Sequence, residues 1–469
     1  MHLACTLPPS RFFGTRVVRC AFVLAMLGWG TGFYGPPIYL AEVAARTGWP
    51  LTRVSAAVTV HFLVGALVAA NLPRLHARLG LAVTTTLGAV MTGIGVFGWA
   101  VAWHAWHLFA AALLSGAGWV AMGAVAVNAI VARWYVGGRP GALARAYNGA
   151  SVGGAVFSPL WVALIHAWGF PAAAAVVGAA MVLIVAAMSR LVFSRTPESL
   201  GQALDGGTGR HGLDGGAVLH EKDGAAIQAS GRTARSRPAA GLPGGALWRD
   251  RAFQTLAAGM ALGLFAQIGL LAHLFTQLAP IVGAQEAGIL MGACTACAIL
   301  GRTVAVRALA PGGPASRLAG AAPGGTAPFG DRRLVAAASY GVQAAGAAIL
   351  LAAWGGPVWP IAAGVALFGM GIGNATSLPP AIAQADFAAA DVPRVVALIV
   401  AIAQASYAFA PAIFGILLYA GQPGSSSTSG HTALLFSGAV AIQIAAAAML
   451  LAGRRAGGHL PSSAASGQP

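Results

Sequence analysis

Long apolar runs alternate with short polar breaks along the whole chain. Twelve of these runs are long enough to cross about 30 Å of hydrocarbon as helices, and a longer polar stretch separates the sixth from the seventh. The pattern predicts an all-α integral membrane protein whose twelve transmembrane helices form two six-helix bundles. We number the runs as spans 1 to 12; they lie at 17–41, 54–72, 81–103, 107–132, 142–166, 170–193, 253–280, 287–308, 333–354, 358–384, 393–420 and 431–452.

The polar segments set the expected domain boundaries. Residues 194–251 are rich in Gly, Ala, Arg and Ser and have no periodic apolar face, so we predict a disordered cytoplasmic linker there. An amino-terminal bundle, 1–193, precedes the linker, and a carboxy-terminal bundle, 252–455, follows it. The second bundle contains a loop insert at 311–330, and residues 456–469 form a cytoplasmic tail.

Composition and charge agree with a membrane location. The 469 residues are 58% hydrophobic and 8% charged, whereas soluble domains carry about 25% charged residues. The net charge of +16 follows from topology: with the amino terminus inside, only Arg46 and Arg53 of the 27 Lys and Arg residues lie outside. Outside the linker, the others cluster at short inner loops or helix ends, which predicts cytoplasmic termini in a bacterial-type inner membrane. We therefore expect a lipid bilayer and no nucleic acid as partner.

Two landmarks recur between the two halves. The sequence "GAG" at 116–118 in span 4 recurs as "GMG" at 369–371 in span 10, and Pro159 in span 5 recurs as Pro411 in span 11. The offsets are 253 and 252 residues, which suggests an internal repeat of six helices. Such repeats place a binding site between the halves, near the membrane midplane.

Two segments carry a family resemblance. The stretch "RWYVGGRPGALARAYNGASVGGAVFSPL" (133–160) is similar to the loop and fifth helix of monocarboxylate transporters, with an aromatic pair, a basic cluster and a Gly-rich helix ending in Pro. The stretch "RTPESLG" (195–201) is similar to the "RPEDLG" that follows the sixth helix in bacterial members. With its twelve spans, the chain resembles the major facilitator superfamily and, within it, the bacterial monocarboxylate transporter-like family.

The resemblance implies a secondary transporter that moves a small organic anion, a monocarboxylate, by alternating access, with proton coupling left open. It implies a monomer without a cofactor. No clustered carboxylates, nucleophile motif or Walker loop points to an enzyme or an ATP-driven pump. An efflux carrier for hydrophobic compounds and a non-transporting membrane sensor remain alternatives, although "SPLWVA" (158–163) departs from the "GPxxGG" that ends the efflux signature.

The superfamily signature is incomplete in the first half. Its pattern, roughly "GxLaDRxG", is replaced by "PRLHARLG" (73–80), in which Ala77 stands where the acidic residue belongs. Arg78 and Gly80 match the pattern and are gating candidates by resemblance, but the absent acid puts the usual gating salt bridges in doubt.

Arg302 is the main candidate for binding the substrate. By resemblance it is the arginine of span 8 that monocarboxylate transporters use for anion and proton binding, and Ala298 takes the place of the partner Asp one turn earlier. Arg302 lies about 24 Å along the helix from Glu286. At that depth, its side chain could either bind an anion in a cavity or extend toward the cytoplasmic headgroups.

The remaining candidates are weaker. All eleven Asp and Glu residues lie in loops or at helix ends, so His61, about 10 Å into span 2, is the candidate for proton coupling, with a buried structural histidine as the alternative. Glu42 and Arg46, one turn apart, are either a surface pair or an outer gate. Further polar residues could contact the substrate or join helices: Tyr34, Asn148, Ser151, Gln267, Asn374, Gln404 and Tyr407.

Overall fold

The computed structural model describes residues 12–206, 245–309, 331–375, 378–388, 391–418 and 428–454. In these ranges, eleven helical segments are long and apolar enough to cross a membrane, and the shorter Val358–Ile372 belongs to the remaining span. The predicted all-α, twelve-span fold is therefore confirmed. Eight spans are single helices: Leu51–Leu79, Leu81–Val101, Arg139–Trp168, Phe170–Met188, Arg251–Val282, Ala284–Leu309, Arg332–Ala353 and Thr428–Ala452.

Four spans that the sequence predicts as continuous are broken into two helices. In span 1 the second helix begins at Pro36 and in span 11 near Pro411; proline lacks the N–H that would continue the helix and restricts the residue before it. Hydropathy does not register such breaks, because the residues around them are equally apolar. The broken spans are Gly14–Gly32 with Pro36–Thr47, Ala105–Val120 with Ala124–Ala132, Val358–Ile372 with Leu378–Asp386, and Val392–Ala408 with Ala410–Leu417.

The glycine motifs of spans 4 and 10 occupy equivalent positions in the two halves. A Cβ atom on Gly116 would stand 2.2 Å from the backbone oxygen of His61 in span 2, and one on Gly369 would stand 2.1 Å from that of Cys294 in span 8. The second glycine of each motif packs against the preceding span of its own half. A Cβ atom on Gly118 would stand 2.5 Å from the Thr92 nitrogen in span 3, and one on Gly371 would stand 2.3 Å from Gln343 Cγ in span 9. These matched contacts support the internal repeat that the sequence spacing suggests.

The two halves meet along seams between pairs of spans. Spans 5 and 8 run in close contact, and a Cβ atom on Gly292 would stand 2.7 Å from the oxygen of Ala155. Span 2 meets span 11, and the second helix of span 1 meets span 7. We call the end of the bundle that carries residues 194–206 and 245–250 the linker end, and the opposite end the far end.

The first residues of the predicted linker fold back onto the loop between spans 4 and 5. The Asp205 backbone N–H donates to the oxygen of Trp134 (3.0 Å), and the Asp205 carboxylate accepts hydrogen bonds from the N–H groups of residues 136–138. These hydrogen bonds, from Gly137 and Gly138 above all, hold the pKa of the Asp205 carboxyl below its usual range. Residues 207–244, the insert at 311–330 and the tail at 456–469 lie outside the described residues.

Candidate substrate site between the halves

The Arg302 guanidinium lies at the seam between spans 5 and 8. Its Nε donates to the backbone oxygen of Gly373 (3.1 Å), and its two terminal nitrogens donate to Asn148 Oδ1 and Ser151 Oγ, each at 3.3 Å. Gly373 directly follows the first helix of span 10, where the last carbonyl groups lose their helical N–H partners. Asn148 and Ser151 belong to the other half of the molecule, so the arginine joins the two halves.

All three partners of this guanidinium are neutral. Within the described residues, the two salt bridges involve other arginines, Arg333 and Arg454, and none involves Arg302. Ala298, where the family carries an acid, is a fully packed alanine 1% exposed. The site therefore holds a positive charge whose described partners supply no countercharge, which suits a small anion.

Tyr34 lines the same seam from span 1. A Cβ atom on Gly154 would meet the Tyr34 ring and the side chain of Thr295, each at 2.7 Å, so these groups from spans 1, 5 and 8 converge on one point. The Tyr34 ring packs edge-on against Phe33, with centroids 5.0 Å apart, and Phe33 packs in turn against Phe62. The polar site thus continues into aromatic side chains of the first half.

The other predicted contact residues are distributed more widely. The Asn374 amide donates to Ser339 Oγ (2.9 Å) within the second half, although its neighbour Gly373 contacts the arginine. Gln404 hydrogen-bonds Tyr407, whose ring packs against Phe62 across the seam between spans 2 and 11. Gln267 is buried in span 7, and its Oε1 has no described hydrogen-bond partner. The structure thus brings Arg302 together with Asn148 and Tyr34, and the Asn374 amide lies beside it, 3.5 Å from the Gly301 oxygen, whereas Gln267, Gln404 and Tyr407 have no described contact with it.

His61 has the surroundings of a structural histidine. It is 1% exposed, and its Nε2–H donates to the oxygen of Gly32 (2.8 Å), where the first helix of span 1 ends. Its Nδ1 lies 2.9 Å from Ser115 Oγ, and its ring stacks on Trp119. Both ring nitrogens are therefore occupied by partners in the same half, and its role in proton coupling stays a prediction.

The Glu42–Arg46 pair is not a salt bridge within the described residues. Arg46 instead donates to the oxygens of Trp99 (3.3 Å) and Ala102 (2.9 Å) and lies over the Trp103 ring. Span 3 ends at Val101, so these carbonyls carry the partial negative charge of a helix end and attract a cation. Arg46 thus joins span 1 to span 3 within one half, and a gating role for Glu42 and Arg46 stays a prediction.

The signature residues differ between the halves. Gly80 adopts φ +81°, a conformation suited to glycine, between spans 2 and 3, and Arg78 is exposed without a described hydrogen-bond or ion-pair partner. In the second half, Arg333 is 3% exposed and donates to Asp386 Oδ2 (2.6 Å). It also donates hydrogen bonds to Thr255 Oγ1 and to the Ala252 oxygen at the start of span 7. Within the described residues, therefore, the buried charge pair at this position belongs to the second half alone.

The sequence reading missed two kinds of group. The Gly373 carbonyl becomes available only because span 10 is broken, and apolar composition gives no sign of that break. The second is His273 in span 7, which is 0% exposed and hydrogen-bonds the Pro411 oxygen of span 11. The signal in the sequence is a lone histidine inside an apolar span.

Comparisons with known proteins agree with this architecture. Residues 20–327 match the family model of the Major Facilitator Superfamily. The fold is similar to the nucleoside transporter NupG (11% identity, TM-score 0.63, covering 93% of this chain and 98% of that one). It is also similar to a peptide transporter in complex with sulfate (15%, 0.62, 96% and 96%) and to a POT family transporter in complex with 5-aminolevulinic acid (14%, 0.62, 92% and 95%). No curated protein matches the chain significantly in sequence.

Proposed function

The chain belongs to the major facilitator superfamily, and we propose that it is a secondary transporter of a small organic anion, a monocarboxylate, working by alternating access. Membership rests on the family match over 20–327 and on the twelve-span fold. The nucleoside and peptide transporters of similar fold share too little sequence to indicate a substrate. The choice of an anion depends on the site itself.

The observation that carries the proposal is the Arg302 guanidinium with three neutral partners. It is held by Gly373 in one half and by Asn148 and Ser151 in the other. A carboxylate bound here would receive charge-assisted hydrogen bonds from the planar guanidinium and would replace its contacts to span 5. Substrate binding would then loosen the seam between the halves on one side, as alternating access requires.

Orientation in the membrane is part of the proposal. The arginine-rich loops, such as those with Arg74, Arg78 and Arg133, lie at the linker end, and the positive-inside rule places that end in the cytoplasm of a bacterial cell. A fluorescent protein that matures only in the cytoplasm should therefore be bright when fused after Pro469. A dark fusion, together with an active periplasmic phosphatase fusion at the same residue, would reverse the orientation.

Uptake into proteoliposomes tests the substrate class. The panel consists of labelled short carboxylates and the neutral amide of each, measured with and without a pH gradient. We expect uptake of at least one carboxylate and none of its amide, because the amide lacks the charge that Arg302 would neutralise. Uptake of an amide as fast as its acid would contradict the anion site, and no uptake of any carboxylate would favour efflux or sensing.

A further inference from the structure

Two buried histidines hold carbonyl groups beside the breaks in spans 1 and 11. His61 donates from Nε2 to Gly32 at the end of the first helix of span 1, and His273 donates from Nε2 to Pro411 (2.8 Å) at the start of the second helix of span 11. Because a carbonyl only accepts, Nε2 carries the proton in both rings, and each Nδ1 presents a lone pair.

The two Nδ1 atoms differ in their surroundings. That of His61 is 2.9 Å from the Ser115 hydroxyl. His273 is 0% exposed, and its Nδ1 has no hydrogen-bond partner in the described part of the chain. An unpaired buried polar atom costs free energy, so a water molecule that reached Nδ1 would lower the free energy of the site around His273.

His273 lies beside the seam between the halves at the far end. A Cβ atom on Gly415 of span 11 would stand 2.5 Å from Ser55 Oγ of span 2 and 3.5 Å from Cε1 of the His273 ring. The break in span 11 also frees the N–H of Ala412, which donates across the seam to Thr59 Oγ1 (3.1 Å). Parting of spans 2 and 11 would break this hydrogen bond and admit water toward Nδ1.

Few other polar groups face this ring. Span 2 contributes the Ser55 hydroxyl, which lies near the ring on the other side of Gly415, and span 11 contributes the Pro411 carbonyl. Within the described residues, no charged or other titratable side chain of the spans packed against span 7 (spans 1, 8, 10, 11 and 12) or of span 2 forms an ion pair or a ring contact with His273. A proton on Nδ1 in the closed seam would therefore be an unpaired buried charge, which is unfavourable.

We propose that His273 is a proton-binding residue of the transport cycle, protonated when spans 2 and 11 part at the far end and neutral when they close. The proton comes from water entering the opened seam and adds to the Nδ1 lone pair, while Nε2–H keeps its bond to Pro411. Acid at the far end thus favours opening. The proposal transfers the coupling role from His61 to His273 and requires a moving transporter, but not a particular substrate.

The size of the effect follows from linkage. A histidine in contact with water ionises near pH 6.5. If only the open state takes up the proton, its population relative to the closed state rises about tenfold between pH 7.5 and pH 5.5.

Alkylation of a cysteine in the seam measures this opening without any substrate. Ser55 is 0% exposed, so Ser55→Cys reacts with a maleimide only when the seam parts. The full chain in lipid nanodiscs is labelled at both pH values, and peptide mass spectrometry separates this cysteine from the native ones. The rate at Ser55→Cys is divided by the rate at Leu200→Cys, an exposed position. This division removes the intrinsic pH dependence of the reaction between a thiol and a maleimide.

We expect the normalised rate to rise about tenfold on acidification, to lose this dependence in His273→Gln, and to keep it in His61→Gln. Thr59→Val should raise the rate at both pH values without changing their ratio. A tenfold rise that survives His273→Gln would overturn the proposal. If His273→Gln does not fold, a rate in the chain with native histidines that is the same at both pH values would overturn it as well.

Discussion

The two halves have equivalent helices at the linker end, but the charged side chains there have different surroundings. In the second half, Arg333 is buried against Asp386 in span 10 and against Thr255 and Ala252 in span 7. In the first half, Arg78 is exposed, and Arg133 stands 253 residues before Asp386, at the end of span 4. The repeat thus conserves helix packing, while the buried charge pair in the described part of the chain lies in the second half.

In the first half, the carboxylate at the linker end is that of Asp205, which belongs to the linker. Asp205 accepts hydrogen bonds from the N–H groups of residues 136–138, next to the start of span 5. This contact is exposed, whereas the Arg333 pair is buried, and buried charges depend far more on their partners than exposed ones. Substitutions at the linker end should therefore have unequal effects in the two halves.

The largest difference is expected between Arg333→Ala and Arg78→Ala. Removing Arg333 leaves Asp386 and the Ala252 carbonyl without their partner, and breaking a buried pair costs about 3–5 kcal/mol. Arg78→Ala should change the free energy of unfolding by less than about 0.5 kcal/mol, as at other exposed sites. Denaturant unfolding in detergent measures both, and equal losses would refute the asymmetry.

Packing, in contrast, should be symmetric. Gly116→Ala and Gly369→Ala each place a methyl group about 2 Å from a backbone oxygen of the neighbouring span, so each should cost about 1–3 kcal/mol. Gly341→Ala in span 9 is the control, because no atom lies within 4 Å of its Cβ position. It should be neutral or stabilise by up to about 1 kcal/mol. A clear difference between the first two variants would weaken the structural repeat.

The smallest effect concerns the contact of Asp205. Because its pKa is lowered in the folded chain, the contact contributes fully above the ordinary carboxyl value near 3.9 and is lost as the pH falls through the lower folded value. Hydrogen exchange of residues 136–138, corrected for intrinsic rates, should accelerate in that acidic range. Asp205→Asn should accelerate the exchange of residues 136–138 already at pH 7, whereas Glu198→Gln should not. Unchanged exchange in Asp205→Asn would contradict a stabilising role for this contact.

The sequence predicts the fold well because apolar run length is a local property. It also identifies Arg302 as a residue of interest, but its partner Asn148 lies 154 residues away, and only tertiary packing brings the two together. The two histidines show the same limit. Both sit in apolar helices, and only the structure distinguishes Nδ1 of His61, paired with Ser115, from that of His273 at a seam.

The most direct test of the anion site is the uptake rate of Arg302→Lys at equal protein in the membrane, with Arg307→Lys as the matched control. Lysine keeps the charge but cannot reproduce the planar guanidinium that contacts Gly373, Asn148 and Ser151. We predict that Arg302→Lys loses about tenfold or more of the carboxylate uptake, the equivalent of one charge-assisted hydrogen bond, while the exposed Arg307→Lys retains it. Unchanged uptake kinetics in Arg302→Lys would contradict a role for Arg302 in binding the substrate.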